Sequence, residues 1–228
     1  KFNFIKRKRW KFSFWNNKIV ISSEGLKNIV FEKKIEEDKF NFLIGKEKIE
    51  IRRFFADFIS PRVSQIHQCD PTIDTINLNE LIAEGQEEKV NQMITSDFVE
   101  NVRNISSGYS IEISEERMRD KFLLFSILIG NKELHCKLNE GQETKIIDEY
   151  FKFIGIFKEE GIFTTIYENQ NYIEYISSHF YEIEEDKLFK LPIKILYSIL
   201  SNEHLKVQNE DSLFDFIHKI TTKANSSK

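Results

Sequence analysis

Cysteine is nearly absent from this chain. Its 228 residues hold two, Cys69 and Cys136, which excludes a disulfide framework and points to a reducing compartment, the cytoplasm first and the nucleus as the other candidate. Long apolar runs are missing too. The longest, Phe122 to Ile129, falls far below the roughly 18–20 residues of a membrane-crossing helix. The first residues lack the basic, apolar, small-residue order of a signal peptide, and the chain opens on Lys1, so a fragment or trimmed form of a longer protein is expected. Positive charge is not in excess: 33 Lys and Arg stand against 37 Asp and Glu, a net charge of −4. The molecule as a whole is therefore no electrostatic match for nucleic acid. No Gly-rich phosphate loop and no nucleophile elbow occur. There is no internal repeat of domain-building length, and no low-complexity tract beyond the polar tail "KANSSK".

What remains is 40% hydrophobic and 31% charged, the balance of a folded globular chain with length enough for two small cores. Residues 1–37 open with Lys6, Arg7, Lys8 and Arg9 beside Trp10. Such a cluster fits base stacking or an anionic membrane surface. It equally fits an alternating strand or a loose arm with solvated lysines, and that plainer reading prevails because nothing downstream continues the basic face. From Asp38, "KFNFLIG" and "KEKIEIRR" each alternate apolar and polar residues about a Gly45-Lys46 turn, which predicts a hairpin.

The next stretch, "FFADFISPRVSQIHQCDP", is greasy and then interrupted. Phe54, Phe55, Phe58 and Ile59 fall at helical spacing. A proline costs a helix least at its first position, and serine is a favoured cap, so Ser60-Pro61 predicts two short helices, Arg53 to Ile59 and Pro61 to His67. A short strand is expected around Ile73 to Leu78, helices at Glu80 to Ile94 and Asp97 to Ser106, and a strand at Ile111 and Ile113. Ser114 can cap the following helix, in which Met118, Phe122, Phe125 and Ile129 share a face and which Gly130 ends; a shorter helix, "NKELHCKL", comes after it. Beyond "NEGQETK" everything from Ile146 to Thr221 reads helical, with Leu191-Pro192 starting one helix as Ser60-Pro61 starts another.

"DKFNFLIGKEKIEIRRFFADFISPRVSQI", "DFVENVRNISSGYSIEIS" and "FLLFSILIGNKELHCKL" together resemble a BTB/POZ domain: an acidic residue opening a first strand, a hairpin, a helix running into a Ser-initiated second helix, a helix ending in a Gly turn before a short strand, and a closing helical pair. "IEYISSHFYEI" and "LPIKILYSILSNEHLKVQNEDSLFDFIHKI" resemble the helical BACK module, matching its pattern at Leu205, Val207, Glu210, Leu213 and Phe214. The chain departs from the BTB pattern at the end of the hairpin, where Arg52 replaces the usual His. The expected architecture is α+β: an arm at 1–37, a BTB/POZ-like small sheet with a helical cluster at 38–140, and an all-α BACK-like domain, incomplete, at 141–228.

The resemblance implies a non-enzymatic protein-interaction scaffold that pairs with itself and recruits an unidentified substrate protein to a cullin ubiquitin ligase. A self-association module with no ligase role is the alternative, and a nucleic-acid binder using the basic arm ranks last. Phe54, Phe55, Phe58, Val63 and Ile66 are more oily residues than one face of two short helices buries, so some of them are expected to form the homodimer surface, the alternative being that all five pack inside one subunit. Phe98 and Glu100, in a hydrophobic-x-Glu triplet, match the family's cullin contact in type and approximate place; ordinary core and surface positions are the plainer reading, since such a triplet is common by chance. No cofactor is implied. His67-x-Cys69 and His135-Cys136 could meet as a tetrahedral zinc site, but their spacings are atypical and no metal is expected; nor does either thiol sit in a setting that would activate it. The Glu182, Glu184, Glu185, Asp186 cluster reads as a solvated helix start.

Overall fold

The computed structural model describes residues 11–15, 18–22, 38–140, 145–158 and 170–226. The fold is mixed α+β, and the chain divides into two compact units, Lys1–Glu140 with Gly155–Glu159 and Gly141–Ile154 with Glu160–Lys228. No described helix is long and apolar enough to cross a membrane.

Two three-stranded sheets build the first unit. One holds β1 (Lys11–Trp15), β2 (Lys18–Ser22) and β6 (Ile111–Ile113) in that order, all antiparallel. Part of the expected arm is thus a strand pair whose Ile19 and Ile21 are buried; the basic cluster Lys6 to Arg9 lies outside the described residues. The second sheet runs β4 (Glu47–Arg52), β3 (Lys39–Ile44), β5 (Thr75–Asn77). β3 pairs antiparallel with β4 and parallel with β5. It is the central strand: Phe40, Phe42 and Ile44 are sealed on one face, while Asn41 on the other donates to the Asp74 carbonyl and to Thr75 Oγ1, both at 3.3 Å.

The hairpin turn is docked by two asparagines. Asn79 Oδ1 accepts from Gly45 N at 2.6 Å and Asn91 Oδ1 accepts from Lys46 N at 2.9 Å. Gly45 has φ +58, and a Cβ there would stand 2.3 Å from Asn91 Oδ1, so both backbone and surroundings require glycine.

Helices α1 (Arg53–Ile59) and α2 (Pro61–Cys69) follow β4 directly. The segment expected as one helix from Glu80 to Ile94 is instead a 3-10 turn at Leu78–Leu81 and a short helix α3 (Glu87–Met93). Gly85, with φ +81, breaks it. The residues between pair with the end of the returning segment: Ile82 bridges Phe157, Ala83 N donates to the Ile156 carbonyl at 2.8 Å, and Lys158 N donates to the Leu81 carbonyl at 3.0 Å. The stretch after Gly141 is therefore not helical throughout. Helix α4 (Ser96–Ser106) ends at the Gly108 turn, φ +87, before β6. Helix α5 (Glu116–Leu128) starts one residue later than a Ser114 cap would place it, with Glu115 as its cap residue. From Phe122 to Ile129 it is buried on every side, the pattern of a helix through the middle of a core. Phe125 meets Phe42 and Phe98 edge-on at 5.9 and 5.5 Å, and Phe98 meets Phe122 at 5.0 Å. Helix α6 (Lys132–Leu138) closes the unit.

The second unit is helical among its described residues: α7 (Ile146–Phe153), α8 (Gln170–Ser178), α9 (Glu185–Leu188), α10 (Ile193–Leu200) and α11 (Glu210–Ser226), with a 3-10 turn at Phe180–Glu182. Pro192 stands at the cap of α10, not inside its first turn. Ser177 ties α8 to α10 by donating to the Ile173 and Ile199 carbonyls at 2.7 and 3.0 Å. Phe216 of α11 stacks on Phe189 and meets Phe180 edge-on.

Candidate functional site

The interruption at Ser60 is built from both ends of the chain segment that surrounds it. Ser60 has extended backbone angles and its hydroxyl oxygen accepts from Val63 N at 3.2 Å, capping α2, with Pro61 at the first helical position. The same hydroxyl donates to the Ile129 carbonyl at 3.0 Å. In return, Asn131 Nδ2 donates to the Ile59 carbonyl at 2.8 Å, while Asn131 Oδ1 caps α6 by accepting from Leu134 N at 2.9 Å. Each side chain thus caps one helix and ties it to the break in the other helix pair. All of these groups are buried, where an unmade bond costs about 1–3 kcal/mol. Gly130, φ +73, lets the α5–α6 turn close beside Arg62.

This double lock fixes which side of α1 is inside. Phe55, Ala56 and Ile59 are buried, and Phe55 and Ile59 face a small apolar void of about 10 Å³ together with Phe122 and Phe125. Phe54 is 46% exposed, and Phe58 is half-buried. On α2, Val63 is fully buried and Ile66 half-buried. Of the five residues expected to meet a partner, Phe55 and Val63 are core residues of their own chain and are corrected to that role. Phe54 stands out, with Phe58 and Ile66 partly open.

The hydrophobic-x-Glu triplet divides in the same way. Phe98 is sealed against Phe122 and Phe125 and cannot touch a partner; its position on α4 faces the core, as do Val99 and Val102. Glu100 is exposed. Near it, the buried Lys121 reaches out of α5 to Asp97, with both carboxylate oxygens at 3.1 Å, and to Thr95 Oγ1. The Thr95 hydroxyl and the Lys121 ammonium hold the Asp97 carboxyl below its ordinary range.

Neither His–Cys pair gathers a metal site. His67 presents Nδ1 to Asp57 Oδ1 at 2.5 Å and Nε2 to the Ile73 carbonyl at 2.8 Å, so both ring nitrogens are already spent on pinning α1, α2 and the loop before β5. His135 is wholly buried in a polar chain between α5 and α6. Cys69 is exposed and Cys136 half-buried. Among the described residues no three His, Cys, Asp or Glu side chains are grouped to hold a metal ion. The residue that sequence reading missed is Asn131. Its signal was present, since a Gly-Asn pair between two helical runs places a helix stop beside a favoured helix cap. Its bond to residue 59 is non-local and left no trace in the pattern.

No family model matches the chain, and no curated protein matches it either.

Proposed function

We propose that the chain is a non-enzymatic protein-interaction scaffold of BTB/POZ and BACK type that pairs with a second copy of itself and serves as an adaptor for a cullin ubiquitin ligase. The order of elements in the first unit supports the resemblance: hairpin, helix, Ser-capped helix, strand, a helix ending in a Gly turn, short strand, helical pair. The observation that carries self-pairing is Phe54, nearly half exposed at the start of a helix whose opposite side is locked into the core, with Phe58 one turn on and only half covered. Full burial of a phenylalanine returns about 1.5–3 kcal/mol, so covering the exposed half of Phe54 returns on the order of 1 kcal/mol, and a second copy supplies the cover. Sedimentation at tens of micromolar tests this. A dimer that Phe54→Asp dissociates, with circular dichroism unchanged, supports the proposal, and a strict monomer at that concentration removes it.

A second reading, self-association with no ligase role, is favoured by the burial of Phe98. That burial leaves Glu100 as the exposed member of the expected cullin contact. Binding of a purified cullin amino-terminal domain that Glu100→Ala weakens, the dimer remaining intact, decides for the adaptor. No binding at micromolar cullin decides for the second reading.

A further inference from the structure

Helix α11 of the second unit carries an apolar stripe that its own unit leaves in water. Its start is set by a reciprocal cap: Asn209 Oδ1 accepts from Ser212 N at 2.7 Å, and Ser212 Oγ accepts from Asn209 N at 3.4 Å. Two contacts then hold the helix to its neighbours. Phe216 stacks on Phe189 at 5.0 Å and meets Phe180 edge-on at 5.3 Å, and Lys219 Nζ reaches both carboxylate oxygens of Glu185 at 2.9 Å. These two residues stand about 60° apart around the helix axis, so they define its inner side. Phe216 is the one buried residue of α11 among those described.

Phe214 stands about 160° around the helix from Phe216, and Ile217 about 60° from Phe214, so both turn outward. Phe214 is 70% exposed and Ile217 41%. With the exposed Thr221 they follow a spacing of three and four, the seam of a helix that packs on another helix. The charges beside the seam say which helix. Asp211 and His218 are seven residues apart and share one flank, about 60° and 40° from Phe214; both are exposed. That flank is acidic toward the start of the helix and basic toward its end. The helix as a whole repeats the pattern, with Glu210, Asp211 and Asp215 in its first half and His218, Lys219 and Lys223 in its second. Such a surface is complementary to its own reverse.

We infer that α11 pairs antiparallel with α11 of a second copy, about a two-fold axis passing between Phe214 and Ile217. Each Phe214 then rests on the partner's Ile217. Antiparallel seams bring like flanks together, so Asp211 meets the partner's His218, offset by two residues or about 3 Å of rise. An imidazole can donate to a carboxylate in its neutral or its charged form. The two helix dipoles oppose one another, whereas a parallel pair would set the acidic starts side by side, like charge on like. Two apolar residues per copy make an interface below the standard size, so this pairing is weaker than the one proposed at α1. The α11 contact stands without the α1 contact. Where both form, each chain has two separate two-fold contacts, which link copies into strings instead of closing on a dimer; that consequence rests on the self-pairing reading above.

The test is sedimentation equilibrium of the full chain, with Phe54→Asp present to remove the α1 contact. That chain should be monomeric at tens of micromolar and dimerise with a dissociation constant of about 0.1 mM. Adding Phe214→Asp should weaken its dimer at least ten-fold. Adding Asp211→Lys should weaken it about five-fold, and Asp211→Lys together with His218→Asp should bring it back to within about two-fold. All of these side chains are exposed, so circular dichroism should not change. Without Phe54→Asp, the wild-type chain should exceed the mass of a dimer at about 0.5 mM, and Phe214→Asp alone should stop at the dimer. The inference is overturned if the Phe54→Asp chain stays monomeric at about 0.5 mM, if Phe214→Asp leaves its dimer unchanged, or if the exchanged charges fail to restore what Asp211→Lys loses. Wild type and Phe54→Asp assembling alike would strike the α1 contact and leave this one standing; wild type and Phe214→Asp assembling alike would do the reverse.

Discussion

The buried polar chain between α5 and α6 makes a pH prediction of definite sign. Arg119 Nη2 donates to Asn139 Oδ1 at 2.7 Å, and Asn139 Nδ2 reaches His135 Nε2 at 3.4 Å. Ser126 Oγ lies 3.0 Å from His135 Nδ1 and donates to the Leu123 carbonyl at 2.6 Å. Because the hydroxyl spends its proton on the carbonyl, it accepts from His135 Nδ1–H, and Nε2 is left to accept from the amide. Every proton then points the same way, and the imidazole must be neutral. Burial pushes its pKa down to about 3 from 6.5, opposed by the Leu123 carbonyl and reinforced by the nearby Arg119 charge. The unfolded chain takes up a proton below about pH 6.5 that the folded chain refuses. This contribution to stability is therefore complete above pH 6.5 and drains away as pH falls toward 3. The slope is about 1.4 kcal/mol per pH unit, which gives a loss of about 2 kcal/mol by pH 5, a large share of a typical 5–15 kcal/mol. Trp15 lies on β1 of the first unit, and urea unfolding is followed by tryptophan fluorescence. His135→Gln costs stability at pH 7.5 but removes the titration. The gap between wild type and variant should narrow by about 2 kcal/mol between pH 7.5 and 5. Carboxylates common to both proteins cancel in the difference. A gap that stays constant across that range refutes the neutral, buried imidazole.

Two further outcomes bear on the frame of the site. Ser60→Ala removes the α2 cap and leaves the Ile129 carbonyl without that donor, for an expected loss of about 2 kcal/mol in denaturant unfolding; Ser60→Thr, which keeps the hydroxyl, should recover at least half. Gly45→Ala forces a side chain into left-handed backbone and onto Asn91, for an expected loss of about 2 kcal/mol, while Lys46→Ala at the neighbouring exposed position should stay within about 0.5 kcal/mol.

What the sequence makes legible here is local. The β3–β4 hairpin, the Ser60-Pro61 break and the Gly130 stop are each written in side chains within a few residues of the feature, where alternation, caps and left-handed glycine leave a direct mark. What it hides is long-range choice. β2 joins β6 across 90 or more positions of chain, and Ile82 meets Phe157; neither pairing changes the composition of its own segment. The same limit explains the site. Phe54 and Phe55 are adjacent and chemically identical, and periodicity alone assigns both to one oily stretch. Phe98 sits in a triplet that would look the same whether it faced a partner or the core, and only the rings of Phe122 and Phe125 decide for the core.

The exposure of Phe54 is a consequence of the lock at residue 60. Helix α1 is two turns long and begins where β4 ends, so its rotation has one degree of freedom. Ser60 and Asn131 remove it by fixing the Ile59 carbonyl and the first turn of α2 to the α5–α6 turn. With Phe55, Ala56 and Ile59 turned inward, Phe54 stands about 100° around the helix from Phe55 and cannot follow it into the core. Turning α1 to hide Phe54 would break three buried hydrogen bonds and bring Phe55 out, exchanging one exposed ring for another at a cost of several kcal/mol. Among the described residues the fold therefore holds Phe54 half in water, turned away from the core that takes Phe55, and the second copy proposed above would cover that half of the ring.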